Sequence, residues 1–298
     1  MNAFADSKPV EVDTKNCACR IDGVEYPMIG FGTYPFTGKI CTKAVGLAVA
    51  TGYRIFDTAT YYENFKSIAK ALKGQDRRHF YIISKVWHDM QSPEDLRKDL
   101  DSTLKQLETE YLDAYLLHWP NSKIPIEKTL NAMEELRQHK KIRHIGLSNV
   151  SVNHLKKALE IGIPITWVQV EMHPHFYDKE LLDFCREHAM LVQAWRPLNL
   201  GGMSEEKILS QIGKKYGKTA CQVALRWSTQ HGCIPLPGSK DETHIQENIN
   251  IRDFILSEEE VQKIDQGALT GARFRLKEEH GLGFADELDF TYEECWPH

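Results

Sequence analysis

Short, unbroken apolar runs alternate along this chain with stretches whose apolar positions recur every three or four residues. The runs are MIGFG (28–32), YRIFD (53–57), FYIISK (80–85), DAYLLH (113–118), IRHIGLS (142–148), TWVQVE (166–171), MLVQAW (190–195) and GCIPLPG (232–238). They are apolar throughout rather than at every second position, as strands of a parallel sheet covered on both faces must be. The intervening stretches predict helices. SPEDLRKDLDSTLKQLE (92–108) begins with a capping serine, Ser92, has Pro93 at the first helical position, and lines up Leu96, Leu100, Leu104 and Leu107 on one face. IPIEKTLNAMEELRQHK (124–140) and SVNHLKKALEIG (151–162) follow the same rule, the second with Ser151 as cap and Gly162 as stop.

Eight strands, each followed by a helix, fit a closed (β/α)8 barrel better than an open doubly wound sheet. An open sheet built to hold a dinucleotide would carry G-x-G-x-x-G after its first strand. The first strand here is followed only by GFGTYPFTG, which lacks that spacing. The prediction is one barrel domain over residues 1–298, with a few additions. CRIDGVEYP reads as a hairpin about Asp22-Gly23, within an N-terminal extension of residues 1–27, placed to plug the barrel floor. Two helical patterns share residues 203–230, so one is an insertion. A last helix over 256–267 precedes a C-terminal tail, 268–298.

Composition narrows the function classes. With 42% hydrophobic and 27% charged residues and a net charge of −5, the chain reads as a soluble globule with no basic track for nucleic acid. Seven irregularly spaced cysteines do not make a disulfide framework, so a reducing cytoplasm is expected. The first residues, MNAFADSKPVEVD, lack the layout of a signal peptide, and no apolar run reaches membrane-spanning length. A monomer acting on a small molecule is the expectation, away from membranes and nucleic acids.

In such barrels chemistry gathers at the C-terminal ends of the strands. There the sequence places Asp57 with Tyr62 just beyond, Lys85 followed by Trp87, His118 followed by Trp119, then Ser148-Asn149, Gln169 with Glu171, and Trp195. A lysine or histidine alone is more often structural, but four proton-handling groups on one rim point to acid–base work. A free phenol, with pKa of about 10, is a reluctant acid at neutral pH. A Lys85 ammonium held by Asp57 is expected to lower it, with His118 orienting a substrate oxygen. Such a set protonates an oxyanion forming on a carbonyl. Cys17-Ala-Cys19 and the pair His173 and His175 lack further ligands at metal spacing, so no metal is assigned.

GFGTY, GYRIFDTATYY, SKVW, YLLHWP, IGLSN, VQVEMHP, QAWRPL and PGSKDETHIQEN, in unbroken order from about residue 20 to 267, resemble the aldo-keto reductase superfamily. The resemblance implies a barrel that reduces aldehydes or ketones with a nicotinamide coenzyme, and Asp57, Tyr62, Lys85 and His118 as the catalytic tetrad. It implies that Ser148, Asn149 and Gln169 bond the nicotinamide carboxamide and that Trp195 stacks on the ring. Thr33 falls near the ribose, Leu198 over the pyrophosphate, Ser239 beside the adenosine phosphate, and Glu247 and Asn248 at the adenine.

Two departures bear on coenzyme choice. Gly238 and His244 stand where the family often has a lysine and an arginine for the 2′-phosphate. Lys240 is placed to substitute, and Arg196, replacing a small residue, to reach the pyrophosphate. NADP(H) is therefore expected, with NAD(H) or dual use as the alternative. Tyr34, Trp87 and Trp119 are expected to wall an aromatic pocket closed by the tail after Gly271, with Phe274, Phe284, Phe290, Tyr292 and Trp296. Two rival readings remain: a Schiff-base lyase using Lys85, and a non-catalytic coenzyme-binding sensor or auxiliary subunit.

Overall fold

The computed structural model describes residues 11–121 and 123–267. The stretch 1–10 and the expected pocket-closing aromatics of the tail lie outside the described residues. Three short strands, β1 (Glu11–Asp13), β2 (Ala18–Ile21) and β3 (Val24–Pro27), form an antiparallel sheet. Then come β4 (Gly30–Gly32), β5 (Ile55–Asp57), β6 (Tyr81–Val86), β7 (Leu112–Leu117), β8 (Ile142–Ser148), β9 (Trp167–Glu171), β10 (Leu191–Trp195) and β11 (Cys233–Pro235). These eight pair in parallel and in chain order. Gly32 N donates to Pro237 O at 3.1 Å across the remaining gap, so the expected (β/α)8 barrel is nearly closed.

Around the sheet run α1 (Gly38–Thr51), α2 (Phe65–Leu72), α3 (Pro93–Leu107), α4 (Ile126–Gln138), α5 (Val152–Glu160), α6 (Lys179–Glu187), α7 (Lys207–Tyr216), α8 (Ala220–Gln230), α9 (Glu242–Ile249) and α10 (Glu258–Gly267). Their ends follow the local chemistry. Ser92 Oγ accepts from Asp95 N at 3.2 Å, and Ser151 forms a reciprocal capping box with His154. Helix α8 packs on β11, which identifies α7 as the inserted helix. No described helix is long and apolar enough to cross a membrane.

The barrel interior explains both the floor and the rim. Ile55, Tyr81, Ile83, Ala114, Leu116, Trp167, Leu191 and Ile234 share one buried cluster with Cys19, Ile21, Tyr26 and Met28 from the N-terminal strands and the link beyond them. The hairpin is therefore the plug that was expected. It is latched by Asp22 Oδ2, 2.8 Å from His144 Nε2, whose Nδ1 lies 3.3 Å from Thr166 Oγ1. Side chains alternate along a strand, so stepping up by two residues from this apolar layer reaches the rim. Ile55 leads to Asp57, Ile83 to Lys85, Leu116 to His118, Gly146 to Ser148, and Trp167 to Gln169. Gly146 is required, because a Cβ there would sit 2.7 Å from both the carbonyl oxygen and the Cβ of Trp167.

Candidate active site

The four proton-handling side chains meet at the top of the barrel. Lys85 is fully buried and its Nζ donates to Asp57 Oδ2 at 2.8 Å, to Thr58 O at 3.0 Å and to Tyr62 Oη at 3.1 Å. All three ammonium donors are thus assigned, and one is aimed at the phenol. Because the phenol oxygen accepts from lysine, its own hydrogen is left for the cleft. The His118 ring meets Tyr62 edge-on with centroids 5.7 Å apart. Its Nδ1 is buried with no hydrogen-bond partner among the described residues, leaving Nε2 as the nitrogen able to meet a substrate.

Electrostatics assign the resting protonation states. Burial, reinforced by the Asp57 carboxylate and by Tyr34, pushes the Tyr62 phenol well above its ordinary value. This corrects the expectation that Lys85 lowers it. Asp57, in contact with the ammonium, cancels much of the lysine's field at the phenol, and burial then decides the direction. The Tyr62 phenol therefore rests protonated. Burial pulls Lys85 down against the opposing pull of Asp57. Burial, with the Lys85 ammonium and to a lesser extent the neighbouring His88 ring, pulls His118 well below the usual imidazole value, so that ring is neutral.

Beside the tetrad the rim is a connected amide network. Gln169 Nε2 donates to Asp57 Oδ1 at 2.7 Å and to Gln193 Oε1 at 3.0 Å. Asn149, at φ 59°, donates from Nδ2 to His118 O at 2.8 Å and to Ser148 Oγ at 3.1 Å, while its Oδ1 accepts from Trp195 Nε1 at 3.0 Å. The Gln169 side-chain oxygen Oε1 and the Ser148 hydroxyl hydrogen have no hydrogen-bond partner among the described residues. One acceptor and one donor at the rim match a primary carboxamide, so these residues fit the group expected there.

The other expected coenzyme residues have partners of their own. Thr33 is buried and its hydroxyl donates to Asp57 O at 2.8 Å, which makes it a brace for β5. Leu198 caps the 3₁₀ segment Asn199–Glu205, which leads into α7. Arg196 Nη1 lies 3.3 Å from buried Glu171, so its charge is committed at least in part to that carboxylate. Ser239 accepts from Asp241 N, and Asp241 caps α9 by accepting from His244 N. Lys240 and His244 are exposed, Glu247 is half-buried and Asn248 is buried on the same helix.

Of the expected pocket walls, Tyr34 is exposed and its ring lies 5.0 Å from that of Tyr62, and Trp87 meets His118 edge-on at 5.0 Å. Trp119 is mostly covered, its carbonyl accepting from Gln91 Nε2 at 2.6 Å. Sequence reasoning missed three contributors. Tyr61 stacks on Trp87 with centroids 4.3 Å apart. Gln193 lies two residues before Trp195, so strand alternation would have found it. Asn64 gave no signal, yet its buried amide ties Thr58 to Thr33 and Phe36, bracing the loops after β4 and β5. His173 and His175 each face a carboxylate, Glu171 at 3.1 Å and Glu206 at 3.0 Å.

A barrel with a lysine-bridged tyrosine at its mouth defines a class of enzyme that moves a proton to or from a substrate oxygen. The pattern that defines the aldo/keto reductase family matches residues 28–268, and the chain belongs to that family. It is 40% identical over 248 residues to the glyoxal reductase of Bacillus subtilis (strain 168), covering 82% of this chain and 90% of that protein. It is 32% identical over 259 residues to the methylglyoxal reductase DkgA of Escherichia coli (strain K12), covering 84% of this chain and 94% of that one. Among solved structures, the aldose reductase of Schistosoma japonicum superposes with a TM-score of 0.82 at 29% identity, covering 94% of this chain and 98% of that one. The chain is thus an enzyme acting on carbonyl compounds.

Proposed function

We propose that this enzyme reduces small aldehydes and ketones, 2-oxoaldehydes such as glyoxal and methylglyoxal among them, with NADPH preferred over NADH and Tyr62 as the general acid. The observation that carries the reading is the Lys85 Nζ donated to Tyr62 Oη at 3.1 Å, with Asp57 on the same nitrogen. Reductases of glyoxal and methylglyoxal among the relatives support the substrate class. The aromatic rim of Tyr34, Tyr61 and Trp87 suits compact, partly apolar carbonyl compounds.

A reduced nicotinamide bound here supplies a hydride to the carbonyl carbon. Ser148, Asn149, Gln169 and Trp195 would hold its ring, and Arg196 and Leu198 would face the ribose and pyrophosphate, with buried Thr33 bracing the strand beneath. Ser239, Lys240, His244, Glu247 and Asn248 would take the adenosine end. As the carbonyl electron pair moves onto oxygen, Tyr62 gives that oxygen its proton. The phenolate left behind is met by the Lys85 ammonium, whose hydrogen bond strengthens as the charge forms. Neutral His118 donates to the same oxygen and orients it without competing as an acid.

The test pairs turnover with binding. Tyr62→Phe is expected to lower NADPH-dependent reduction of methylglyoxal by about 10²–10⁴-fold, the usual contribution of a positioned acid. Coenzyme affinity, read by quenching of tryptophan fluorescence, is expected to stay unchanged. A variant that keeps most of the wild-type turnover removes Tyr62 from this role. Coenzyme binding without turnover in the wild type would favour the sensor reading instead.

A further inference from the structure

Between α3 and the outer face of the sheet lies a carboxylate that the chemistry above does not use. The buried face of α3 comprises Leu96, Asp99, Leu100, Thr103, Leu104 and Leu107, so Asp99 stands in an aliphatic stripe and is only 6% exposed. A leucine would serve packing there without the desolvation cost of an acid. Burial pushes the Asp99 carboxyl up, against hydrogen bonds from Tyr115 and Thr60, and Asp89 on the neighbouring turn adds to the burial effect.

Both hydrogen bonds fall on Oδ2. Tyr115 Oη, from β7, donates through a short bond, and Thr60 Oγ1 lies at 3.0 Å. The same threonine oxygen lies 3.1 Å from the main-chain carbonyl of Lys85, so its single hydrogen is shared between the helix and the strand. Thr60 begins the one-turn helix Thr60–Tyr62 that carries the phenol. That turn has little support of its own: Tyr62 N bonds Ala59 O at 3.0 Å and Glu63 N bonds Thr60 O at 3.3 Å. A lone 3₁₀ turn is held mainly by what it is tied to.

We propose that Asp99 is a positioning residue, which through Thr60 holds the turn bearing Tyr62 against the strand bearing Lys85. The inference rests on the reading of Tyr62 as the acid. Asp99 touches neither substrate nor coenzyme; it sets where the phenol stands. A displacement of about 1 Å at a reacting group lowers rates by roughly 10²-fold, so a tie this far back is felt in the chemical step.

The experiment takes Asp99→Leu, Asp99→Asn and Thr60→Val singly, and Thr60→Val combined with each Asp99 variant, with single-turnover reduction of methylglyoxal as the readout. Asp99→Leu completes the aliphatic stripe, so its melting temperature is expected to match or exceed wild type while its rate falls about tenfold. Coenzyme affinity should not change. Asp99→Asn keeps an oxygen for both hydroxyls and is expected to retain the rate. Thr60→Val should lose as much as Asp99→Leu, and the double variant no more than either, because both cut one tie. Amide exchange over residues 58–64 is expected to rise in the two damaging variants. Should Asp99→Leu not fold, Thr60→Val with and without Asp99→Asn carries the test. Losses that multiply, or a slower rate only where stability falls too, would overturn the inference while the wild type remains an active reductase. A wild type inactive with both coenzymes would instead overturn the reading of Tyr62, and a catalytic use for Asp99 with it.

Discussion

Tyr62 receives the Lys85 hydrogen bond, so the phenol's own hydrogen is left for the cleft, and burial keeps that hydrogen on the oxygen, as the proposed acid requires. The proposed preference for NADPH turns on whether Lys240, Arg196 and His244 would hold a 2′-phosphate. Lys240 is the fixed cation near Ser239, but Asp241 and Glu242 open α9 beside it with two negative charges. Arg196 faces Glu171. An imidazole is only partly protonated near neutrality, whereas a guanidinium stays charged and forks onto phosphate. His244→Arg is therefore expected to raise the ratio of NADH to NADPH dissociation constants, and Lys240→Ala to lower it, as fluorescence titration would read. A wild type that prefers NADH, with Lys240→Ala making no difference, would defeat the NADPH assignment. His244 itself was legible because its position follows from the order of motifs. The opposing acids were in the sequence too, but only the helix start shows that they stand at its positive end.

At the level of elements, strands and helices were readable because burial on both faces leaves a continuous apolar run and a helix leaves a stripe. The expected strand over 80–85 is Tyr81–Val86, and the expected helix over 92–108 is Pro93–Leu107. The short strand Glu11–Asp13 was not foreseen, since an exposed three-residue edge carries no periodicity and exists through its pairing with β2. The hairpin that follows was foreseen, but its latch was not, because Asp22 and His144 are far apart in the chain. Burial alone would push the Asp22 carboxyl up; the hydrogen bond and charge of His144, with Arg143, outweigh burial and hold it below the usual range. A depressed carboxylate adds stability above its unfolded pKa, about 3.9, and loses that contribution as pH falls through the folded value. His144→Ala is expected to lower stability by about 0.5–1.5 kcal/mol at pH 7. The gap from wild type in urea denaturation should narrow below about pH 4. A gap that widens on acidification would show that the latch is not this hydrogen bond.

Across the whole molecule, the barrel depends on how closely its first and last strands approach. A Cβ on Gly32 would lie 2.7 Å from Leu236 O, a backbone atom that cannot swing aside. Gly32→Ala is expected to destabilise the protein by about 1–3 kcal/mol, a drop of several degrees in melting temperature, through strain at the seam. Because Gly32 is paired with Asp57, reductase activity should fall as well. An unchanged melting temperature would mean that the seam opens without penalty. The sequence by itself determined the alternation of strand and helix, and with it the barrel. It also determined which residue types stand at the strand ends, because local periodicity and strand alternation are written residue by residue. Only the tertiary structure decided that Asp57 neutralises Lys85 rather than leaving it to acidify Tyr62, and that Arg196 faces a carboxylate. It likewise decided that Asp99 reaches the turn bearing Tyr62 through Thr60. Those are contacts between segments distant in the chain, and their electrostatics depend on burial and angle, which no spacing along the chain encodes.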